Sequence, residues 1–364
     1  MKHIKFLPLC ILTIGLFVQG CNSDKKTEIT VLGENSSNLQ AMQALKGDYE
    51  EKNKITINYK PNTFEDAFNK ANQDFSTKAG QYDIVLQYNF SLSNFVRNKY
   101  VYTYDELANN VTEAEKSFEA DIFPSAWKEV GYYYKDPKNP SLGMTKIGYP
   151  FAANTMLLAY NKEMFESNEN KEAYKAKYNK DLTIPTTWEE YKQIAEFFTN
   201  KEKNTYGLCM QGATGGWLYY EWCQYLQGFG GKVMEKEFGW MSEENTPVNI
   251  NSIQAKKATE YFVSLKQSNT GGFTNVDGNE QIKVMKGGKV AMCLIWSDYV
   301  RGLTYNGEEL DKRFGVAPVP GNKSMLAGGA FFINKQTKHS KEALDIMNKN
   351  YIYSRARCIF AKNI

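Results

Sequence analysis

Histidine is almost missing from this chain: two in 364 residues, His3 and His339. His3 lies in an amino-terminal segment that reads as a removable signal, and His339, within Lys338-His339-Ser340-Lys341, reads as a solvated helix start. A Ser-His-Asp triad or a histidine-based zinc site therefore has no material to be built from. Cysteine is equally thin in chemistry. None of the six cysteines forms a Cys-x-x-Cys pair, so Cys209, Cys223, Cys293 and Cys358 read as small buried hydrophobes, with a Cys209 to Cys223 disulfide left open for an exported chain. No basic stripe interleaves with aromatics, which argues against nucleic acid. Two glycine-rich stretches, Gly212-Ala213-Thr214-Gly215-Gly216 and Gly228-Phe229-Gly230-Gly231-Lys232, lack the Gly-Lys-Ser/Thr ending of a phosphate-cradling loop. No nucleotide, cofactor or metal is expected.

Carboxylates are plentiful but badly spaced for catalysis. Glu189-Glu190, Glu243-Glu244 and Glu308-Glu309 are adjacent in sequence, so at most one of each pair can point into a given site, whereas glycoside hydrolysis needs two facing acids. They read as solvated faces. The chain is therefore read as a non-enzyme, with a glycosidase kept as the lesser alternative.

One apolar run opens the chain. Lys2 and Lys5 precede an apolar stretch over residues 6–18, and Gly20 stands before Cys21, the layout of a secretory signal that is short for a membrane span. Val18-Gln19-Gly20-Cys21 resembles a bacterial lipobox, although Gln19 departs from the strict pattern. The expectation is a signal over residues 1–20, a lipid on Cys21 and a polar tether over residues 21–26, giving an anchored protein on the cell surface or in the periplasm. Without Lys2 and Lys5, the 44 basic residues fall to within one of the 41 acidic ones, so the mature chain is nearly neutral.

At 364 residues the chain exceeds one ordinary core, so two domains are expected, and 14% aromatic residues is a high share that suits broad apolar faces in a core or a pocket. Strand patterns at residues 28–33, 55–59 and 83–88 alternate with helical ones starting at a Ser37/Gln40 capping box and at Phe64. That rhythm predicts parallel crossovers in an α/β sheet, with ligands beyond the carboxyl ends of the strands. The strand-and-helix rhythm restarts after residue 150. Residues 146–165 read as a strand buried on both faces running into a helix. Thr187/Glu190 forms another capping box ahead of Trp188, read as structural, and residues 252–268 and 280–286 read as helices. Residues 206–211, 287–296, 314–321 and 327–335 complete the strands. After Met347 the pattern is lost.

Several of these segments resemble the extracellular solute-binding proteins. Tyr149-Pro150 leading to Tyr160-Asn161-Lys162 and Met164-Phe165 is similar to the segment that crosses between their lobes. Tyr82-Asp83-Ile84-Val85, Thr187-Trp188, Gly288-Lys289-Val290-Ala291-Met292 followed by Trp296, and Gly328-Gly329 followed by Ile333 match further motifs. The resemblance covers about residues 27–347 and implies a two-lobed periplasmic-binding-protein type II fold with hinge-crossing strands. It sets an amino-terminal lobe at residues 27–152 and 313–347 and a carboxyl-terminal lobe at 153–312. The family has further helices after this point, so residues 348–364 read as an irregular tail on an incomplete second lobe.

The implied function is delivery of a carbohydrate to an ABC permease by a monomeric receptor; a glycan-binding surface lipoprotein without an importer is the alternative. Rings can lie against sugar C–H faces while polar groups take the hydroxyls. Tyr88, Trp217, Tyr219 and Trp296 are the candidate platforms, Glu34, Asn35 and Asp298 the polar contacts, and Gly328 and Gly329 the points of close backbone approach. A polyamine would need several converging acids, and the sequence favours a sugar instead.

Overall fold

The computed structural model describes residues 26–107, 122–235, 241, 247–305 and 309–348. The expected signal, Cys21, most of the tether, Cys358 and residues 349–364 lie outside the described residues.

Strands β1 (Thr27–Glu34), β2 (Ile55–Asn62) and β3 (Ile84–Tyr88) pair in parallel in the order β2-β1-β3. Helices Ser37–Asn53 and Phe64–Thr77 link them. Successive residues of a strand face opposite ways, and the burial follows: Ile29, Val31, Ile84 and Leu86 join one core, while Leu32 and Val85 join another across the sheet. The first helix is capped one residue earlier than the Ser37/Gln40 box implies. Ser36 is extended and its Oγ accepts the Leu39 N–H at 3.4 Å, which leaves Ser37 as the first helical residue.

After a small hairpin of β4 (Tyr132–Tyr134) and β5 (Met144–Lys146) comes β6 (Tyr149–Asn161), the longest strand among the described residues. Its first half pairs antiparallel with β12 (Leu326–Ile333), from Tyr149 opposite Phe331 to Thr155 opposite Leu326. Its second half pairs with β8 (Val290–Trp296), from Met156 opposite Trp296, and with β11 (Phe314–Pro318), from Leu157 opposite Pro318. Strand β12 continues to β3, and β7 (Tyr206–Leu208) runs parallel to β8; β9 (Thr304–Tyr305) and β10 (Glu309–Leu310) form a second small hairpin. Two strand groups thus meet in β6. Tyr149 sits in a core with Ile29, Val31 and Phe331, whereas Met156, Leu158 and Ala159 sit in one with Tyr191, Tyr225 and Trp296.

The partner change falls at Thr155–Met156. Strand β11 pairs with the second half of β6, Phe314 and Val319 are part of the second core, and the chain returns to the first half of β6 with β12 at Leu326. Strand β6 is not buried on both faces along its whole length: Ala153 is exposed, and Phe151, Thr155, Leu157 and Tyr160 are half-buried.

The Thr187/Glu190 capping box forms, and Trp188 is structural: it is buried with its ring centroid 5.1 Å from that of Tyr225 and 5.7 Å from that of Tyr191. Cys209, Cys223 and Cys293 are buried free thiols, and no disulfide joins Cys209 to Cys223. No helix of the described residues is long and apolar enough to cross a membrane.

Strand β7 packs so closely on helix Trp188–Phe198 that a Cβ on Gly207 would lie 2.1 Å from the carbonyl oxygen of Ala195. Backbone cannot give way as a side chain can. Gly207→Ala is expected to cost about 1–3 kcal/mol or more. Gly47→Ala, in an exposed helix interior with nothing near the added methyl, is expected to gain about 0.5–1 kcal/mol. Paired thermal melts check both signs; equal stabilities for the two variants would contradict the packing described.

Candidate ligand-binding site

The ends of three strands converge on one narrow cavity, about 40 Å³ in volume, that opens to solvent. Strand β1 ends at Glu34, β3 at Tyr88 and β8 at Trp296, and the turn Ser297–Leu303 then adds Asp298 and Tyr299. This is the carboxyl-end position at which open α/β sheets present groups to ligands. Asn154 comes from β6 beside the partner change, and Ala327 from β12. Helix Trp217–Gly228 contributes Trp217 and Tyr220. It is entered through Gly215 and Gly216 at φ +88° and +111°, a left-handed pair of residues that any other side chain would strain. Helix Phe64–Thr77 begins at Phe64, capped by Thr63, and places that ring in the wall.

The wall is aromatic from both strand groups. Phe64 lies 5.3 Å from Tyr88 and 5.9 Å from Trp217 between ring centroids, and edge contacts join Trp217 to Tyr299 at 5.9 Å and Tyr220 to Trp296 at 5.7 Å. Within it sit two buried carboxylates. Glu34 is 8% exposed; its Oε1 accepts the Tyr299 hydroxyl at 2.9 Å and its Oε2 accepts the Tyr88 hydroxyl. Burial nonetheless pushes its pKa up against those two hydrogen bonds. Asp298 is 7% exposed; the Asn154 side chain and the backbone N–H groups of Asp298 and Tyr299 favour its charged form, and Oδ1 is left without a hydrogen-bond partner. Burial first, and then the charge of Glu34, push its carboxyl up to about 7. Tyr88 and Tyr299 are held protonated, by burial above all, and so act as donors. Among the described residues no group of three His, Cys, Asp or Glu is arranged to hold a metal ion.

Outside Glu34, Phe64 and Trp217 the cavity is continued by an open polar groove, bounded by Asn62, Glu65 and Asp66 on one side and by Thr214, Asp277 and Asn279 on the other.

Of the residues the sequence singles out, Glu34, Tyr88, Trp217, Trp296 and Asp298 line the cavity and Asn35 lines the outer groove. Tyr219 lines neither: it is 48% exposed and packs toward Tyr220 and Trp222. One residue along a helix is a rotation of about 100°, and Tyr220 takes the inward place. Gly328 and Gly329 are not among the lining residues of the cavity. A Cβ on Gly329 would lie 2.5 Å from the Phe151 ring, and one on Gly328 would lie 3.1 Å from the Ala152 carbonyl oxygen, while their neighbour Ala327 reaches the cavity.

The sequence profile described as bacterial extracellular solute-binding protein matches residues 33–350. The chain belongs to this family. Three solved structures of ABC transporter solute-binding proteins share the fold at low identity. One from Agrobacterium radiobacter K84, in complex with ribitol, has a TM-score of 0.76 at 19% identity, covering 93% of this chain and 79% of that one. One from Agrobacterium vitis S4, with bound D-mannitol, gives 0.70 at 19%, covering 93% and 75%. One from Thermotoga lettingae TMO, bound with alpha-D-tagatose, gives 0.70 at 19%, covering 90% and 77%. Comparison with curated proteins gives no match. The fold is thus the two-lobed periplasmic-binding-protein type II fold, and β6 is a strand that crosses between lobes.

Phe64, Asn154, Tyr220 and Tyr299 complete the cavity and escaped the sequence reading. Phe64 looks like one more core position of an amphipathic helix, and Asn154 like an interruption in an apolar strand. Tyr299 carried a legible signal, since it stands in the same strand-end motif as Trp296 and Asp298.

The carboxyl of Asp298 holds its proton more tightly in the fold than in the unfolded chain. Its contribution to stability is therefore greatest at low pH and is lost as pH rises from about 4 to about 7. Asp298→Asn removes that loss. Thermal melts of the ligand-free proteins are expected to show the variant gaining on the parent across this interval and holding a constant lead above it. A gap that does not change with pH would contradict the buried, strained carboxyl.

Proposed function

We propose that this chain is the substrate-receiving component of an ABC importer and encloses a carbohydrate between its two lobes, which close about the crossings at Thr155–Met156 and residues 319–325. The observation that carries this reading is the cavity itself: aromatic walls supplied from both strand groups around a few buried hydrogen-bonding groups. Such a lining suits a polyhydroxylated ring or chain, whose C–H faces pack on π-surfaces and whose hydroxyls need fixed acceptors and donors. Ribitol, D-mannitol and D-tagatose in the similar structures support it. A receptor is favoured over a glycosidase because both oxygens of Glu34 are held by tyrosine hydroxyls, which leaves Asp298 as the one open carboxyl in the cavity where glycoside hydrolysis needs two. Export, a lipid on Cys21 and a membrane permease as partner complete the proposal, with the receptor working as a monomer; Glu34, Tyr88, Trp217, Trp296 and Asp298, with Phe64, Asn154, Tyr220 and Tyr299, would contact the sugar.

Trp217 and Trp296 separate binding from packing. Trp217 is half-buried and bounds both chambers, whereas Trp296 is buried at the end of a core strand. Calorimetry with polyols, ketohexoses and malto-oligosaccharides, beside thermal melts, is expected to show Trp217→Ala losing about tenfold or more in affinity, or 1.4 kcal/mol, with a nearly unchanged melt. Trp296→Ala is expected to lose affinity and about 3–5 kcal/mol of stability together. A well-folded Trp217→Ala protein with unchanged affinity would overturn the site.

A further inference from the structure

We infer that the ligand carries a cationic nitrogen, an ammonium on an aminated sugar or polyol, seated against Asp298 and Glu34 inside the aromatic cavity. The inference rests on the carbohydrate reading and narrows it. Its first ground is Asp298: a side chain more than nine-tenths buried, lining the cavity, whose Oδ1 has no partner. A buried acceptor left open costs stability unless a ligand completes it. The second ground is charge. Glu34 shares the cavity, Asp277, Glu65 and Asp66 bound the adjoining groove, and no lysine or arginine lines either chamber among the described residues. Two acids in one desolvated space repel each other, and either a proton or a bound cation must relieve them.

A neutral hydroxyl can bond to Asp298 Oδ1 but brings no charge to the pair; an ammonium does both and makes the stronger, charge-assisted bond. The third ground is the wall. Phe64, Tyr88, Trp217 and Tyr220 present rings to this space, and ring faces attract cations, tryptophan most strongly.

The test uses the wild-type mature protein, freed of endogenous ligand by unfolding and refolding, and titrates it by calorimetry at neutral pH. The probes are matched sets: a hexose, its 2-amino-2-deoxy form and its N-acetylated form; a hexitol and its 1-amino-1-deoxy form; and putrescine as an amine without a sugar. The expected result is that at least one aminated sugar or polyol binds about tenfold or more tighter than both its hydroxyl parent and its acetylated form. Asp298→Asn, checked for folding by circular dichroism, is expected to shrink that ratio to below about threefold. Parents binding as tightly as their amines would overturn the inference while leaving the carbohydrate reading intact. Putrescine binding with no response to any saccharide would overturn the carbohydrate reading and retain the cationic one. No binding by any probe would overturn both.

Discussion

Residues 149–161 form a single strand whose edge groups must be paired wherever they are buried, and β6 meets that demand with two different sets of partners. Up to Thr155 it pairs with β12, and from Met156 with β8 and β11. The change of partner is where polar side chains gather. Thr155 Oγ1 donates to Ser324 Oγ at 2.6 Å, Ser324 Oγ donates in turn to the Met156 carbonyl at 2.6 Å, and the Thr155 N–H reaches Ser297 Oγ at 3.2 Å. The buried amide of Gln224 then stands in for a neighbouring strand: it donates to the Lys323 carbonyl at 2.8 Å and accepts the Met325 N–H at 2.9 Å. Helix Trp217–Gly228, which carries two rings of the cavity, is thereby tied to the second crossing.

The cavity follows from that arrangement. With two strand groups meeting at β6, the carboxyl ends of β1 and β3 face the carboxyl end of β8 across the same space, and the side chains there come from both. The hydroxyl of Tyr299, from the second group, bonds to Glu34 of the first over a sequence separation of 265 residues. Burial raises the pKa values of both Glu34 and Asp298 by removing the water that ordinarily stabilises the charged forms, and among the described residues no lysine or arginine lines the cavity to replace it.

The α/β alternation is plain in the sequence because β1 and β2 alternate apolar residues, β3 is a short apolar run, and helix-capping residues stand between them. The crossing strand was legible as an element but not in its environment, since where a strand changes partners depends on segments 170 residues away in the chain, such as Ser324 and Met325. The site was half legible. Glu34, Tyr88, Trp296 and Asp298 could be found because strand ends in parallel sheets face ligands. Phe64 and Asn154 could not, because nothing local distinguishes a helix-start ring in a wall from one in a core. The sequence does not separate Tyr219 from Tyr220, because only packing sets the helix's rotation about its axis. A Cβ on Gly329 would meet the Phe151 ring and, at 3.3 Å, the Tyr88 ring of the cavity, and one on Gly328 would meet Ala152 and Val130.

We propose that a ligand fills the space between Trp217 and Trp296 and completes the open valence of Asp298. A crystal structure of the protein with the saccharide that most raises its melting temperature addresses this directly. The account expects the ligand in that space, with a donor about 3 Å from Asp298 Oδ1 and rings of both lobes against it. A saccharide bound elsewhere, with Asp298 Oδ1 still unpartnered, would contradict it.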